Sequence, residues 1–464
     1  MNTRKIILSL LFILIFTSGM VMSTERLPKP EKFVLDNGLT VYFYRNPELP
    51  LVSFRMLIPG AGTAFEPEGY DGLASLTAEL LQKGTKTMSA EEIAEALDFL
   101  GARFTISDAE EYATVYGECL SEHLPRLLQI TSDCLMAPAF KPEEYQKELA
   151  RKKDSLKAIK DNPGSALRQY FRKAYFGQHP FGHLSTGTDS SLERMSLEEI
   201  KKFYAARYRP DVAILAVVGE VEKSKLQEIL KTTLGKWPKP GSPAPSTTIP
   251  PLPAPKGKKL LFVDKPDATQ CYFALGAPGY PVGDKISAPA SVMNTLWGGR
   301  FTSWLNTELR IKRGLTYGAS SSFQSWKNGG LFMASSYTKN DKIGEMLDIT
   351  FDLLKKAREQ GFSAEETESA RNYILGQFPQ RLETNGAKAN AYLQVIYYGL
   401  GFDYFDRYLN EINAVKPEAL KGVAQRLLPE KDYVLVVVGK GSEALKLLEK
   451  YGQFQEKKIT DPNF

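Results

Sequence analysis

Catalysis by a single chain calls for a nucleophile beside a base, a pair of carboxylates or a set of metal ligands, and these 464 residues offer few of them. There are three His and three Cys. Cys119, Cys134 and Cys271 form no C-x-x-C pair, which excludes a closed zinc finger, an iron–sulfur cluster and a disulfide framework. One disulfide at most can form, with Cys119 and Cys134 as its candidates. His179 and His183 in HPFGH stand four apart, the spacing that puts two imidazoles on one helix face, but Pro180 and Gly182 keep this stretch from being that helix. No G-x-S-x-G nucleophile turn occurs, and Gly439-Lys440-Gly441-Ser442 lacks the spacing of a phosphate loop and reads as a strand-to-helix turn.

The elements that would position any site come from a chain of ordinary globular composition, 43% hydrophobic and 24% charged, long enough for several cores. A net charge of +5 over this length leaves no basic stripe and argues against nucleic acid as a partner. Arg4 and Lys5 precede the apolar run Ile6 to Phe16, which has signal-peptide proportions and is too short to span a bilayer. Residues 1–23 therefore read as a signal peptide cleaved after Ser23, or as a short uncleaved anchor reaching Met22. Either way the bulk of the chain is expected to be exported, to a periplasm or out of the cell, with no transmembrane span after cleavage.

Between Pro238 and Pro255 lie eight of the 28 prolines, a density that forbids regular structure and predicts a semi-rigid linker over 238–257. The same order of elements flanks it. Pro210 precedes the apolar run Val212 to Val218 and Gly219; Pro429 precedes Tyr433 to Val438 and Gly439, each run followed by a helical pattern. We read an internal duplication, with lobes at 24–237 and 258–464. In the first, the Asn37-Gly38 turn within Phe33 to Tyr44 predicts a hairpin, Val52 to Ile58 a strand, and Ser89 an N-cap. Helical patterns run from His123 to Met136 and from Pro142 to Lys160. Strands come in groups, so the expected class is α+β, two lobes each a mainly antiparallel sheet covered by helices on one face.

The stretch Tyr70 to Thr85, YDGLASLTAELLQKGT, resembles the insulinase and pitrilysin family of zinc peptidases, whose members carry G-x-A-H-x-x-E-H followed by K-G-T. Aligning Gly72, Ala74 and Lys83-Gly84-Thr85 places Ser75 and Glu79 at the two ligand His positions and Ala78 at the catalytic Glu. The family's third ligand is a Glu six residues before an Asp close to a Pro; in KDSLKAIKDNP that position is Ser155. Two His at i and i+4 would share a helix face around zinc, with the carboxylate at i+3 taking a proton from metal-bound water. Ser75, Ala78, Glu79 and Ser155 cannot do this, Glu148 lies two turns from Ser155, and Asp154 points away from it. No catalytic residue and no metal ligand is expected in this chain.

The segment Gly298 to Tyr317, GGRFTSWLNTELRIKRGLTY, is similar to the family motif in which an Arg and a Tyr seven residues apart bind the substrate backbone near zinc. Here those positions are Arg310 and Tyr317, an Arg fork for carbonyl or carboxylate oxygens and a phenol that can donate to a developing oxyanion. The resemblance covers Phe33 to about Leu448. It implies the zinc-free subunit of a heterodimeric peptidase that binds peptides, with zinc on a homologous partner whose site Arg310 and Tyr317 complete. Two alternatives stay open: a scaffold like the family's respiratory-complex core subunits, and a peptide-binding module, including one acting as a homodimer.

Overall fold

The computed structural model describes residues 27–464, and the predicted signal segment lies outside the described residues. The first lobe runs β1 (Glu31–Val34), β2 (Thr40–Arg45), β3 (Leu51–Pro59), α1 (Leu73–Leu80), α2 (Ala90–Phe99), β4 (Arg103–Asp108), β5 (Tyr112–Leu120), α3 (Leu124–Met136), α4 (Pro142–Asp161), α5 (Pro163–Phe176), α6 (Asp189–Arg194), α7 (Leu197–Arg207), β6 (Ile214–Gly219) and α8 (Lys223–Thr232). The second runs β7 (Lys258–Asp264), β8 (Gln270–Pro278), α9 (Ser287–Asn294), β9 (Ala319–Trp326), β10 (Gly329–Lys339), α10 (Ile343–Gln360), α11 (Ala364–Gln377), α12 (Asn385–Tyr397), α13 (Tyr404–Ala414), α14 (Pro417–Leu427), β11 (Tyr433–Gly439), α15 (Gly441–Leu448) and β12 (Gln455–Lys458).

Local chemistry sets many of these boundaries. Gly38 turns the β1–β2 hairpin at φ +93°, a backbone region open to Gly at little steric cost. The buried Asn37 amide donates to the carbonyls of Leu234 and Trp237 at 2.8 and 3.0 Å, which ties the hairpin to the end of its lobe. Ser89 with Glu92 and Ser363 with Glu366 form capping boxes that start α2 and α11, each typically worth about 1 kcal/mol.

The duplication is visible in the sheets. Among the described residues each has six strands, in the orders β1-β2-β6-β3-β5-β4 and β12-β7-β11-β8-β10-β9. In both, a parallel pair (β2 with β6, β7 with β11) continues into antiparallel pairs as far as an edge strand, β4 or β9. The two runs that follow Pro210 and Pro429 are β6 and β11, at equivalent places. Residues 238–257 hold no helix or strand. They form a strap on the surface, held where Arg209 donates to the Ser242 and Pro243 carbonyls and Asn328 to that of Ile249.

Helices cover both faces of each sheet, whereas the sequence pattern predicted one, because the lobes exchange a helix. The α5 helix of the first lobe packs on β8 and β11 of the second, and α12 of the second packs on β3 and β6 of the first. Along β11, Leu435 and Val437 face their own lobe's helices while Val434, Val436 and Val438 join the core that includes Phe171 of α5. Along β6, Leu215 and Val217 face inward while Ala216 and Val218 meet Ala389 and Tyr392 of α12. Burial on both faces is why these strands read as unbroken apolar runs rather than alternating ones. The C-terminus fastens the same junction: Phe464 is edge-on to the buried Tyr170 ring at 5.1 Å. Cys119, Cys134 and Cys271 are all free and buried, and burial pushes the Cys119 and Cys134 thiols up to about 12. No helix among the described residues is long and apolar enough to cross a membrane.

Gly276 on β8 tests the exchange, since a Cβ there would come within 2.3 Å of the Phe171 ring. Gly276→Val is expected to destabilise the protein by about 1–3 kcal/mol in urea unfolding, and to raise protease sensitivity between the lobes.

Candidate functional site

The helix that carries Ser75, Ala78 and Glu79 is α1. Its N-terminus follows Gly72 at φ +90°, where an added Cβ would lie 3.0 Å from the Gly187 backbone. The Glu66 carboxylate caps it, accepting the Ala74 N–H at 2.8 Å, and a carboxylate at this end also matches the helix dipole. One turn apart on one face, Ser75 and Glu79 point at α4, whose facing residue is Lys152.

Lys152 is 8% exposed. Its ammonium donates to Ser75 Oγ at 2.8 Å and to the Ser185 carbonyl at 3.4 Å, and it pairs with Glu79 Oε1 at 3.1 Å. Ser75 Oγ–H in turn donates to the same Glu79 oxygen at 3.2 Å. All three ammonium protons thus have acceptors, which is what a lysine this deeply buried needs. Ala78 lies at the core side with a methyl and nothing that moves a proton. Ser155, the residue that sequence spacing set at the third position, is exposed to solvent on α4 and does not join the cluster. The inward residue sits three positions earlier because the chain's buried stripe is Tyr145, Leu149, Lys152 and Leu156. Glu148 is also inward, but it pairs with Arg151 at 2.9 Å and Lys83 at 3.2 Å.

Zinc does not fit here. The donor set offers one carboxylate, one hydroxyl and an ammonium that a cation would have to displace. Among the described residues no group of three or more His, Cys, Asp or Glu is arranged to hold a metal.

Behind the α1 cap lies a pair that spacing did not reveal. His183 Nδ1 is 3.0 Å from the Thr63 carbonyl and 3.4 Å from Glu66 Oε2, an oxygen with no other partner among the described residues. Its neighbour His179 faces away, onto the Pro250 carbonyl, so HPFGH turns its two rings in different directions. Complete burial pushes the Glu66 carboxyl up to about 7, against the hydrogen bonds from His183 and Ala74. Burial lowers the His183 imidazole, but the Glu66 carboxylate outweighs it and the net shift is upward. Asp71, which accepts from Lys173 at 2.6 Å, adds to both upward shifts.

In the second lobe Gly298 and Gly299 close a π-helical turn, Thr295–Gly299. Ser303 caps the short helix Trp304–Asn306, and a second π-helical turn, Thr307–Lys312, carries Arg310. Gly314 at φ +63° ends it, and Tyr317 follows just before β9. The Arg310 guanidinium lies over the Phe301 ring at 4.8 Å. Glu308, one turn-position away, is occupied by Lys312 and Arg313, each at 2.6 Å, and among the described residues Arg310 has no ion pair. Tyr317 is 78% exposed, with Phe301 at 58% and Ile311 at 57%. Arg310 and Tyr317 thus stand on one short stretch at the head of an edge strand, with no hydrogen bond joining them among the described residues.

Two outcomes follow. Between the ordinary Glu value and about 7 the folded chain holds a proton on Glu66 that the unfolded chain has released, so this stabilisation is full at acid pH and lost as pH rises through about 7, and His183 acts in the same direction above the ordinary imidazole value. Urea unfolding at pH 5 and pH 8 should differ by on the order of 2–3 kcal/mol more for the native chain than for Glu66→Gln. Separately, the double variant Ser75→His, Glu79→His should take up no zinc while the Lys152 ammonium remains, and adding Lys152→Glu should give stoichiometric metal by elemental analysis.

Comparison with known proteins agrees with this arrangement. Residues 41–189 match the family model described as insulinase, peptidase family M16, and residues 194–374 match the peptidase M16 inactive domain. An uncharacterized zinc protease of Bacillus subtilis is 25% identical over 88% of this chain and 98% of its own length. Another, from Rickettsia bellii, is 28% identical over 73% of this chain and 81% of its own. The crystal structure of a peptidase M16 inactive domain from Pseudomonas fluorescens superposes with a TM-score of 0.82 at 24% identity, covering 89% of this chain and 98% of that one. A protease from Helicobacter pylori gives the same score at 22% identity, covering 89% and 99%. From the matched halves, the duplicated α+β lobes and the altered helix at Ser75 to Glu79, the chain belongs to the insulinase family of peptidases, M16.

Proposed function

We propose that this chain is the exported, zinc-free subunit of a two-chain metallopeptidase, which helps to hold peptide substrate and completes the active site of a zinc-bearing M16 partner through Arg310 and Tyr317. The observation that carries the reading is the Lys152 ammonium, seated between α1 and α4 on Ser75, Glu79 and the Ser185 carbonyl. Curated relatives bear the name zinc protease. A member of their family whose own helix pair closes on an ammonium needs a second chain to supply the metal if it shares in that chemistry.

Two further features support the reading. Arg310 and Tyr317 are free of ion pairs among the described residues and stand beside the exposed Phe301 and Ile311. A guanidinium and a phenol can there reach a peptide carbonyl held by another chain, inside an apolar rim that excludes water. Peptide binding itself suits β4, the edge strand packed beside α1, whose free backbone groups can pair with an extended segment.

The test is peptidase activity of the mature chain, alone and mixed with a zinc-bearing homologue. The chain alone should be inert and should raise its partner's activity. Arg310→Ala should then lower kcat/KM of the pair by about ten- to a hundredfold while leaving the pair associated in sedimentation. Unchanged proteolysis by the variant pair would remove Arg310 from the role.

A further inference from the structure

A cavity lined by neither α1 nor Arg310 lies between the lobes. It occupies about 550 Å³, with Tyr112 of β5 on one side and Tyr280, Phe323, Tyr397, Tyr404 and Tyr408 on the other. A neighbouring cavity of about 470 Å³ shares Tyr280, Ser291, Phe323, Arg381 and Tyr408 with it, so the two form one groove. Each is within the roughly 300–1,000 Å³ that takes a ligand of drug or short-peptide size. The rings are arranged as open walls: Tyr112 meets Tyr397 edge-on at 5.0 Å, and Tyr280 leans on Phe323 at 5.1 Å. Between them lie the neutral donors and acceptors Ser291, Asn390 and Gln394.

Among the described residues Arg381 is the one cation that lines the groove, and it lines both parts. It follows α11 at the end of the short turn Pro379–Arg381, its side chain is exposed, and among the described residues its guanidinium has no hydrogen bond or ion pair. The acids of this region are otherwise placed. Glu111 accepts the Tyr398 hydroxyl at 3.2 Å behind the wall, while Glu411 and Asp284 flank the tyrosines without lining the groove. A free guanidinium at the mouth of a tyrosine-walled groove selects a ligand with one negative charge next to an apolar group. A phosphate, with nearly two charges, would call for more than one cation, and an internal peptide stretch brings no backbone charge at all.

We infer that this groove binds the C-terminal end of a peptide, its α-carboxylate on Arg381 and its last apolar side chains among the tyrosines. The inference rests on the peptide-binding part of the function proposed above and adds the end of the peptide that is read. It places the anchor in the second lobe, apart from Arg310 and Tyr317, so that a chain end is held while another part of the peptide reaches the partner's metal.

The probe is an N-terminally fluorescein-labelled decapeptide ending in Phe, as the free acid and as the C-terminal amide, titrated with the mature chain by anisotropy. The acid should bind about tenfold more tightly than the amide, the worth of one charge-assisted pair. Arg381→Gln, an exposed position that leaves the core untouched, should remove that difference and leave the amide's affinity as it was. Tyr404→Ala should weaken both forms. Equal binding of acid and amide, or a preference that survives Arg381→Gln, overturns the carboxylate anchor and leaves peptide binding standing. Failure of both peptides to bind overturns the anchor and the peptide-binding reading together.

Discussion

Everything else in this molecule depends on a reciprocal burial. Neither lobe covers both faces of its own sheet: β8 and β11 are closed by α5 of the first lobe, and β3 and β6 by α12 of the second. A sheet face left open would expose Val434, Val436 and Val438 in one lobe, and Ala216 and Val218 in the other. At about 25 cal/mol per Å² of apolar surface, that burial is far larger than any single polar contact between the lobes. The lobes therefore stand in one relative placement, and the groove lined by Tyr112 from one side and Tyr280 and Phe323 from the other exists because of it.

Within that frame, a single ammonium determines what the first lobe can do. The two helices that face each other, α1 and α4, need something between them that satisfies Ser75, Glu79 and the Ser185 carbonyl. Lys152 does so with a charge fixed to the chain. A buried cation with three acceptors is electrostatically self-contained, and it opposes a second cation at the same place. The effect is to turn a surface that could hold a metal into a structural joint. Side chains able to meet a peptide lie elsewhere, in the second lobe, where Tyr317 and Arg381 are exposed, Arg310 is half-buried, and none of the three has an ion pair among the described residues.

The α1 cap carries a second electrostatic consequence. Glu66 serves the helix N-terminus through Ala74 N–H and meets His183 through its other oxygen, in a place without solvent. The carboxyl and imidazole both hold protons at pH values where free side chains have begun to lose them. The joint beside Lys152 is consequently firmer in mild acid than in mild base.

The sequence by itself determined the class, the two related lobes and most element types, since hairpin turns, capping serines, prolines and periodicity act within a few residues. It also determined that Ser75, Ala78 and Glu79 carry no imidazole and no catalytic carboxylate, because residue identity needs no fold. Only the tertiary structure decided which residue faces them. Counting back from Asp161 reaches Ser155, but helix rotation and packing turn Lys152 inward and leave Ser155 in water; a Lys on the stripe of Tyr145, Leu149 and Leu156 was the local sign of it. The helix exchange was equally hidden, since an amphipathic pattern says that a helix has an apolar face and not whose sheet it covers. The tyrosine groove draws on β5, β9, α9, α12 and α13, and no sequence spacing connects elements that only the joined lobes bring together.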